Sequence, residues 1–173
     1  MLAENYRLMA EYNRWMNSKL LDAAGQLTQA ELKRDSGAFF NSILGTFNHI
    51  MVGDIIWLQR FAEHPSAAVL QTVRAFQRPA TLSQLLYEDL SSLAKQRRQL
   101  DSMICEFCEG LTDADLSVEL EYRNTKGVAF NRRFAYLMQH FFNHQTHHRG
   151  QLSTLFSQRG VDIGETDLLG VMP

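Results

Sequence analysis

The last part of the chain carries an apolar stripe at helical spacing, and this stripe contains two histidines. Between about 132 and 158, residues at steps of three and four recur on one helical face: Leu137, Phe141, His144, His148, Leu152 and Leu155. A stripe of this length must be buried against other elements, so it predicts a long helix packed into an α-helical core. His144 and His148 lie within the stripe and are expected to face the protein interior.

The two stripe histidines belong to a dense cluster, since four of the six histidines in the chain fall between His140 and His148. Two neutral imidazoles one helical turn apart present nitrogen atoms at the spacing that a divalent metal ion needs. The alternative is a pair of core histidines bonded to backbone or water. We favour a metal site because two unpaired imidazoles are costly to desolvate. His140 lies at the edge of the stripe, and His147 is displaced from it by about 100°.

Helical patterns also dominate the rest of the chain. They predict helices over residues 3–25, 42–63 and 81–109 in addition to 132–158, the second ended by Pro65 and the third begun by a capping box of Thr81 and Gln84. Residues 66–80 are expected to connect two helices. The second helix carries apolar residues on more than one side and should be buried on several faces.

A short non-helical segment precedes the last helix. Residues 118–122 alternate apolar and charged side chains, residues 124–127 have turn chemistry, and residues 128–130 allow a returning strand. This pattern predicts a small hairpin or extended excursion. Together with the four long helices it indicates an all-α protein, a four-helix bundle formed by one domain over residues 1–173.

Helical spacing also predicts the environment of several polar residues. Lys95, Arg97 and Arg98 are expected to cover a solvated face of the third long helix. Arg149 points away from the apolar stripe and is interpreted as a solvent or interface charge. Glycine at position 150, inside a helix, lowers helix stability by about 1 kcal/mol relative to alanine. The close approach of a neighbouring helix would explain why glycine occupies Gly150.

Composition excludes several classes of function. The net charge of −2 and the isoelectric point near 6.3 give no electrostatic footprint for nucleic acid. Residues 36–53 lack charged side chains, but polar residues interrupt them, so we expect a buried helix and no membrane span. The N-terminus lacks the apolar region of a signal peptide.

Cys105 and Cys108 form a C-x-x-C pair without the strand or the second cysteine pair that redox or zinc motifs require. We expect them to be structural thiols. A chain with so few cysteines is typical of the reducing cytoplasm, where we expect this protein to act.

Three segments of the chain resemble the DinB/YfiT-like family in order and separation. The most specific is HFFNHQTHHRGQLSTLFSQRG at 140–160, which is similar to the family's H-x-x-N-H-x-x-x-H-R-G-Q signature. YNRWMN at 12–17 and NHIMVGDIIWLQRF at 48–61 support it. The resemblance covers nearly the whole chain and implies a four-helix bundle of up-down-down-up type with a divalent metal held by three histidines.

Carried over position by position, the resemblance implies that His49 of the second helix joins His144 and His148 as a metal ligand. Periodicity alone does not place His49 opposite that pair. Many relatives carry a carboxylate four residues after the first histidine, where this chain has Gly53. This chain therefore has no carboxylate at that position that could bind the metal or act as an acid or base.

Three neutral histidines without a carboxylate leave a coordination position open, which is typical of a catalytic metal site. Zinc, nickel and iron all suit histidine ligands. Relatives in the family include thiol-dependent transferases and isomerases, and proteins described as metal hydrolases. We therefore expect a metal-dependent enzyme acting on small molecules, with a low-molecular-weight thiol as candidate co-substrate and hydrolysis as the alternative. A non-catalytic metal-binding protein with a storage or stress role is the competing class.

Further residues are candidates for supporting roles. Asp54, His140 and Tyr12 could each act as a general base near the metal, although such residues more often serve packing or hydrogen bonding. Similar proteins are usually homodimers, and Phe39 and Phe40 are candidate contact residues.

Overall fold

The computed structural model describes residues 2–172. In chain order its elements are α1 (Leu2–Ala24), α2 (Gln29–Lys33), α3 (Ile43–Phe61), a 3₁₀ helix (Ala68–Ala75), α4 (Leu90–Gly110), α5 (Asp113–Ser117), β1 (Glu119–Arg123), β2 (Ala129–Arg133), α6 (Phe134–Ser157) and a second 3₁₀ helix (Leu168–Val171). The prediction of a mostly helical protein with a small hairpin before its last helix is confirmed. Among the described residues, no helix is both long and apolar enough to cross a bilayer.

Local side-chain chemistry explains where the long helices begin and end. The hydroxyl of Ser42 accepts a hydrogen bond from the backbone N–H of Gly45 at 3.0 Å and starts α3. Asp89 starts α4 in the same way, since its carboxylate accepts from the N–H of Ser92 at 2.8 Å. Gly160 follows the end of α6 with a φ of 70°, a left-handed conformation that favours glycine.

The predicted helix start at Thr81 is wrong, because α4 begins only at Leu90. The buried side chain of Asn48 on α3 explains the difference. Its Oδ1 accepts hydrogen bonds from the backbone N–H groups of Leu86 at 2.7 Å and Tyr87 at 2.9 Å, and its Nδ2 donates to the Tyr87 carbonyl at 2.9 Å. These bonds take up backbone groups that a helix would use, so residues 81–88 lie in irregular conformation against α3.

The hairpin forms at the predicted position. Strands β1 and β2 pair antiparallel, with Glu119 opposite Arg133. At the turn, the carbonyl of Asn124 accepts from the N–H of Gly127 at 3.0 Å, and Gly127 has a φ of 81°. The predicted turn chemistry is therefore present in the structure.

Two apolar clusters fill the interior of the protein. The first lies at the start of α1 and α6 and toward the ends of α3 and α4, and includes Tyr6, Leu58, Phe61, Phe107, Phe134 and Phe141. The second lies toward the ends of α1 and α6 and at the start of α3 and α4, and includes Leu20, Leu44, Phe47, Leu93, Leu152 and Phe156. The four long helices each contribute to both clusters.

A buried polar layer joins the four long helices, and on α1, α4 and α6 it lies between the two apolar clusters. Its members are Asn13, Asn17, Asp54, Arg97, Asp101, Gln145 and Arg149. Two arginines and two aspartates balance in charge within this layer. Each of the four helices is thus tied to two of the others by polar bonds as well as by apolar packing.

Arg97 of α4 connects two carboxylates within the polar layer. One of its Nη atoms donates to Asp54, and the other lies 3.0 Å from Asp101 Oδ1. Asn17 also donates to Asp101 Oδ1, at 2.8 Å. Burial raises the pKa of Asp101 to about 6, against the opposing effect of the Arg97 charge. The expectation that Arg97 covers a solvated face is wrong, since the residue is 1% exposed; Arg98 beside it is exposed as predicted.

Arg149 of α6 connects the other side of the polar layer. It donates to Asn13 on α1 and, at 3.4 Å, to Gln145 Oε1, while Gln145 Nε2 donates to Asp54 Oδ1 at 2.6 Å. Arg149 is 2% exposed, so its interpretation as a solvent or interface charge is wrong. Amide oxygens on its own and a facing helix satisfy the guanidinium, which a helical wheel of one segment does not reveal.

Candidate metal centre

Three imidazoles from two helices meet at one point. α3 supplies His49, and α6 supplies His144 and His148. The Nε2 atom of His49 lies 3.1 Å from Nε2 of His144 and 3.0 Å from Nε2 of His148. Ligand nitrogens about 2.0–2.1 Å from a tetrahedral zinc ion would be about 3.3 Å apart. The three residues predicted as ligands are therefore close enough to hold one metal ion.

Hydrogen bonds at the outer ring nitrogens determine which nitrogen faces the centre. His49 Nδ1 donates to the carbonyl of Leu82 at 2.8 Å, and His148 Nδ1 donates to Gln151 Oε1 at 2.7 Å. Because both acceptors are oxygens, the proton of each neutral ring sits on Nδ1 and the Nε2 lone pair is free. The partners thus hold both rings in the tautomer that binds metal through Nε2.

Burial keeps the three rings neutral. It lowers the pKa of His49 and of His148, and together with the neighbouring imidazoles it lowers the pKa of His144 to about 3. Two unprotonated Nε2 atoms 3.0 Å apart repel each other, and a cation between them would satisfy both lone pairs. The donor set and its protonation therefore fit a divalent metal ion.

Gly53 makes room for the His144 ring. A Cβ atom at position 53 would lie 2.7 Å from His144 Cε1 and 3.2 Å from its Nδ1, so a side chain there would displace the ring. The resemblance implies a carboxylate at this position in many relatives. Glycine here leaves the space that the His144 ring fills. At Gly150, by contrast, an added Cβ atom would have no neighbour within 4 Å, so the expected close approach of another helix there is wrong.

Phe40 covers one side of the centre. Its ring stacks on His49 with centroids 3.7 Å apart and meets His148 edge-on at 5.5 Å. A tight turn places it there, since Asn41 has a φ of 64° and its N–H donates to the Ala38 carbonyl at 2.8 Å. Phe40 is buried at the site, whereas Phe39 is 86% exposed.

A cavity of about 540 Å³ adjoins the three histidines. Its walls are formed by Phe39, Phe40, His49, Leu82, Ser83, His147, His148 and Gln151. Two of the three imidazoles, those of His49 and His148, are part of the wall. A small molecule in this cavity would therefore reach the candidate metal position.

The other two clustered histidines lie beside the centre. His147 is exposed, and its ring meets that of His148 edge-on at 4.8 Å, with Nε2 3.4 Å from Gln151 Nε2. His140 is also exposed and packs edge-on against Trp57 at 5.0 Å. Neither belongs to the three-histidine group, and for His147 the helical wheel predicts this position.

Two of the three candidate general bases, Asp54 and Tyr12, are engaged elsewhere. Asp54 is bonded to Arg97 and Gln145 within the polar layer. The Tyr12 hydroxyl donates to the Thr166 carbonyl at 2.7 Å and ties α1 to the C-terminal segment. Both residues have structural partners that account for their positions.

The two cysteines lie on α4, which supplies none of the three histidines. Both are free thiols, and burial raises the pKa of Cys108 and raises that of Cys105 to about 12. Neutral thiols of this kind are poor nucleophiles at pH 7, in keeping with the structural role expected for the pair.

Three residues that support the centre are not evident from the sequence. Gln151 lies three residues after His148 on α6, a spacing that could have suggested a bond between them. Leu82 contributes through its backbone carbonyl, which no side-chain pattern reveals. The role of Phe40 depends on the turn at Asn41, and a helical pattern carries no signal for it.

Comparison with known proteins gives a match along the chain. The model of the DinB family matches residues 1–172. Protein DinB of Bacillus subtilis (strain 168) is 22% identical over 162 residues, which covers 91% of this chain and 87% of that protein. No solved structure matches the chain significantly. Because the family model spans almost every residue, including all three histidines of the centre, the chain belongs to the DinB family.

Proposed function

We propose that His49, His144 and His148 bind one divalent metal ion and that the protein is a metal-dependent enzyme acting on small molecules, in the manner of a thiol-dependent transferase. The observation that carries this proposal is the pair of unprotonated Nε2 atoms 3.0 Å apart, each fixed by a hydrogen bond at its Nδ1. Zinc, nickel and iron all suit such a donor set.

The centre has the composition of a catalytic site. Three neutral ligands would leave a coordination position of a bound ion free, and the adjoining cavity would give a substrate access to it. A bound divalent ion would lower the pKa of a coordinated thiol or water toward neutrality. Phe40 shields the rings of His49 and His148 from solvent on one side, which strengthens electrostatic interactions there.

Thiol transfer is the reaction that we favour. The thiolate sulfur forms a bond to an electrophilic carbon, the leaving group departs with its bonding electron pair, and the thiol proton passes to solvent. His49, His144 and His148 as neutral ligands would leave the charge of a bound divalent ion uncompensated, and that charge would stabilise a thiolate. The chain itself supplies orientation, through Leu82 and Gln151, and the wall of the cavity.

We also propose that the chain is one domain in which the four long helices form a bundle of up-down-down-up type. The order in which the helices pass the two apolar clusters supports it. α1 and α6 begin at the first cluster and end at the second, whereas α3 and α4 begin at the second and end at the first.

The test is metal analysis of protein purified without a histidine tag, followed by conjugation of glutathione or cysteine to 1-chloro-2,4-dinitrobenzene. We expect about one metal ion per chain, conjugation that a chelator abolishes, and neither property in His148→Ala. Cleavage of nitrophenyl esters without thiol would replace transferase by hydrolase. Full metal content without either reaction would support a metal-binding protein without turnover.

A further inference from the structure

The geometry points to an uncharged, apolar ligand group, aromatic or branched aliphatic, as the occupant of the cavity beside the three histidines. That this ligand is the substrate rests on the proposed function, whereas its binding does not. The inference therefore names the substrate class of the site.

The wall of the cavity carries the first argument. Its apolar part is formed by the rings of Phe39 and Phe40 and the side chain of Leu82. The remaining side chains are Ser83, Gln151 and histidines, and none of the described residues that line it is Asp, Glu, Lys or Arg. In the metal-free protein, an ionised group placed there would lose hydration without gaining a side chain of fixed opposite charge.

A pair of opposite charges lies outside the cavity. Lys33 and Glu88 line an adjoining depression that shares Phe39, Phe40 and Ser83 with the cavity. Their side chains lie 3.7 Å apart, as an ion pair. This pair adds no net charge to the rim, so in the metal-free protein the wall favours a neutral molecule over an anion.

The exposure of the wall residues carries the second argument. Phe39 is 86% exposed and Leu82 is 50% exposed, yet both adjoin a cavity of about 540 Å³. Large apolar side chains that face a concave site next to convergent polar groups are typical of small-molecule binding sites. Burying the Phe39 ring under a ligand removes apolar surface from water and stabilises the complex.

Ser83 and Gln151 indicate that the ligand carries one hydrogen-bonding group. Their polar atoms lie in an otherwise apolar wall, where they can bond one neutral hydrogen-bonding group such as a carbonyl, hydroxyl or thiol. Such a group, placed on the histidine side, would point at the candidate metal position. The expected ligand is therefore a neutral apolar molecule with one such group.

The test compares two fluorescent probes with the same anilinonaphthalene skeleton. N-phenyl-1-naphthylamine is neutral, and 8-anilinonaphthalene-1-sulfonate is an anion. Titrated into the metal-free protein, the neutral probe should saturate at one site with a dissociation constant about tenfold below that of the anion. Equal affinities, or no saturable binding of the neutral probe, would overturn the inference.

Variants at the wall locate the binding site. Phe39→Ala should weaken binding of the neutral probe about tenfold. Leu82→Arg places a cation in the wall without altering the backbone carbonyl bonded to His49, and it should reverse the order of the two probes. Tyr136→Ala removes another exposed aromatic ring, 66% exposed on α6, and should leave both affinities unchanged. Equal effects of Phe39→Ala and Tyr136→Ala would overturn the assignment.

Two further measurements separate this inference from the proposed function and from self-association. If the protein holds no metal but the neutral probe binds in a Phe39-dependent way, the cavity assignment stands and the metal proposal fails. If light scattering shows a dimer that Phe39→Ala converts to monomer, while probe binding is unchanged, the cavity is an interface between copies and the inference is overturned.

Discussion

Adjacent histidines of α6 have different surroundings, because a helix turns by about 100° per residue. His148 is buried with its Nε2 3.0 Å from that of His49, whereas His147 is exposed. We expect His148→Ala to lose tight metal binding, while His147→Ala retains about one metal ion per chain. Metal content of the two purified variants measures this difference. Full metal content in His148→Ala would exclude the three-histidine centre.

Two helical glycines, Gly53 and Gly150, give a second matched pair of residues. Gly53→Ala places a Cβ atom 2.7 Å from the His144 ring, so we expect the ring to shift and metal affinity to fall on the order of tenfold. Gly150→Ala meets open space and should stabilise the fold by about 0.5–1 kcal/mol. Metal titration and urea unfolding of both variants test the pair. Unchanged metal affinity in Gly53→Ala would contradict the steric role of Gly53.

At the residue scale, the sequence predicts those residues of the site that lie together on one helix. The i, i+4 spacing identifies His144 and His148 and separates them from His147. His49 is contributed by a distant helix, and only the family resemblance points to it. The burial of Arg149 is not predictable from one helix, because its partner Asn13 belongs to α1.

At the scale of elements, α4 carries two adjacent arginines with opposite environments. Arg97→Met would leave Asp54 and Asp101 buried without their cation, so we expect a loss of about 3–5 kcal/mol in the free energy of unfolding. Arg98→Met, at an exposed position, should change it by less than about 0.5 kcal/mol. Chemical denaturation of both variants decides the matter; similar small losses in the two would mean that the polar layer adds little stability.

Element boundaries follow from sequence where the determinants are local. Ser42 at the start of α3, the turn at Asn124 and Gly160 after α6 act on neighbouring residues, and the predicted boundaries lie close to the observed ones. The predicted start of α4 is misplaced because Asn48, on another helix, holds residues 86 and 87 out of helical conformation. Long-range bonds of this kind override local capping signals.

At the scale of the whole molecule, the buried histidines make stability depend on pH. His144 has a pKa of about 3 in the folded metal-free protein and about 6.5 in an unfolded chain. The unfolded chain therefore takes up the proton first, and His144 lowers stability progressively as pH falls from 6.5 toward 3. Asp101, with its raised pKa of about 6, acts in the opposite sense below pH 6.

A variant isolates the contribution of His144 to this dependence. We expect the free energy of unfolding of metal-free wild type to decrease, relative to that of His144→Asn, between pH 7 and pH 5. Urea unfolding at several pH values measures the difference, and the Asp101 contribution cancels because both proteins contain it. A constant difference across this range would show that His144 titrates normally in the folded state.

The bond from His49 to the Leu82 carbonyl has a consequence for energetics. The same residue that orients a candidate metal ligand presents its side chain to the adjoining cavity, outside any helix. Whatever alters the position of residue 82 changes both the orientation of His49 and the shape of the wall. If the centre binds an ion, occupation of the cavity and affinity for that ion would be thermodynamically linked, and by reciprocity each would change the other by the same factor.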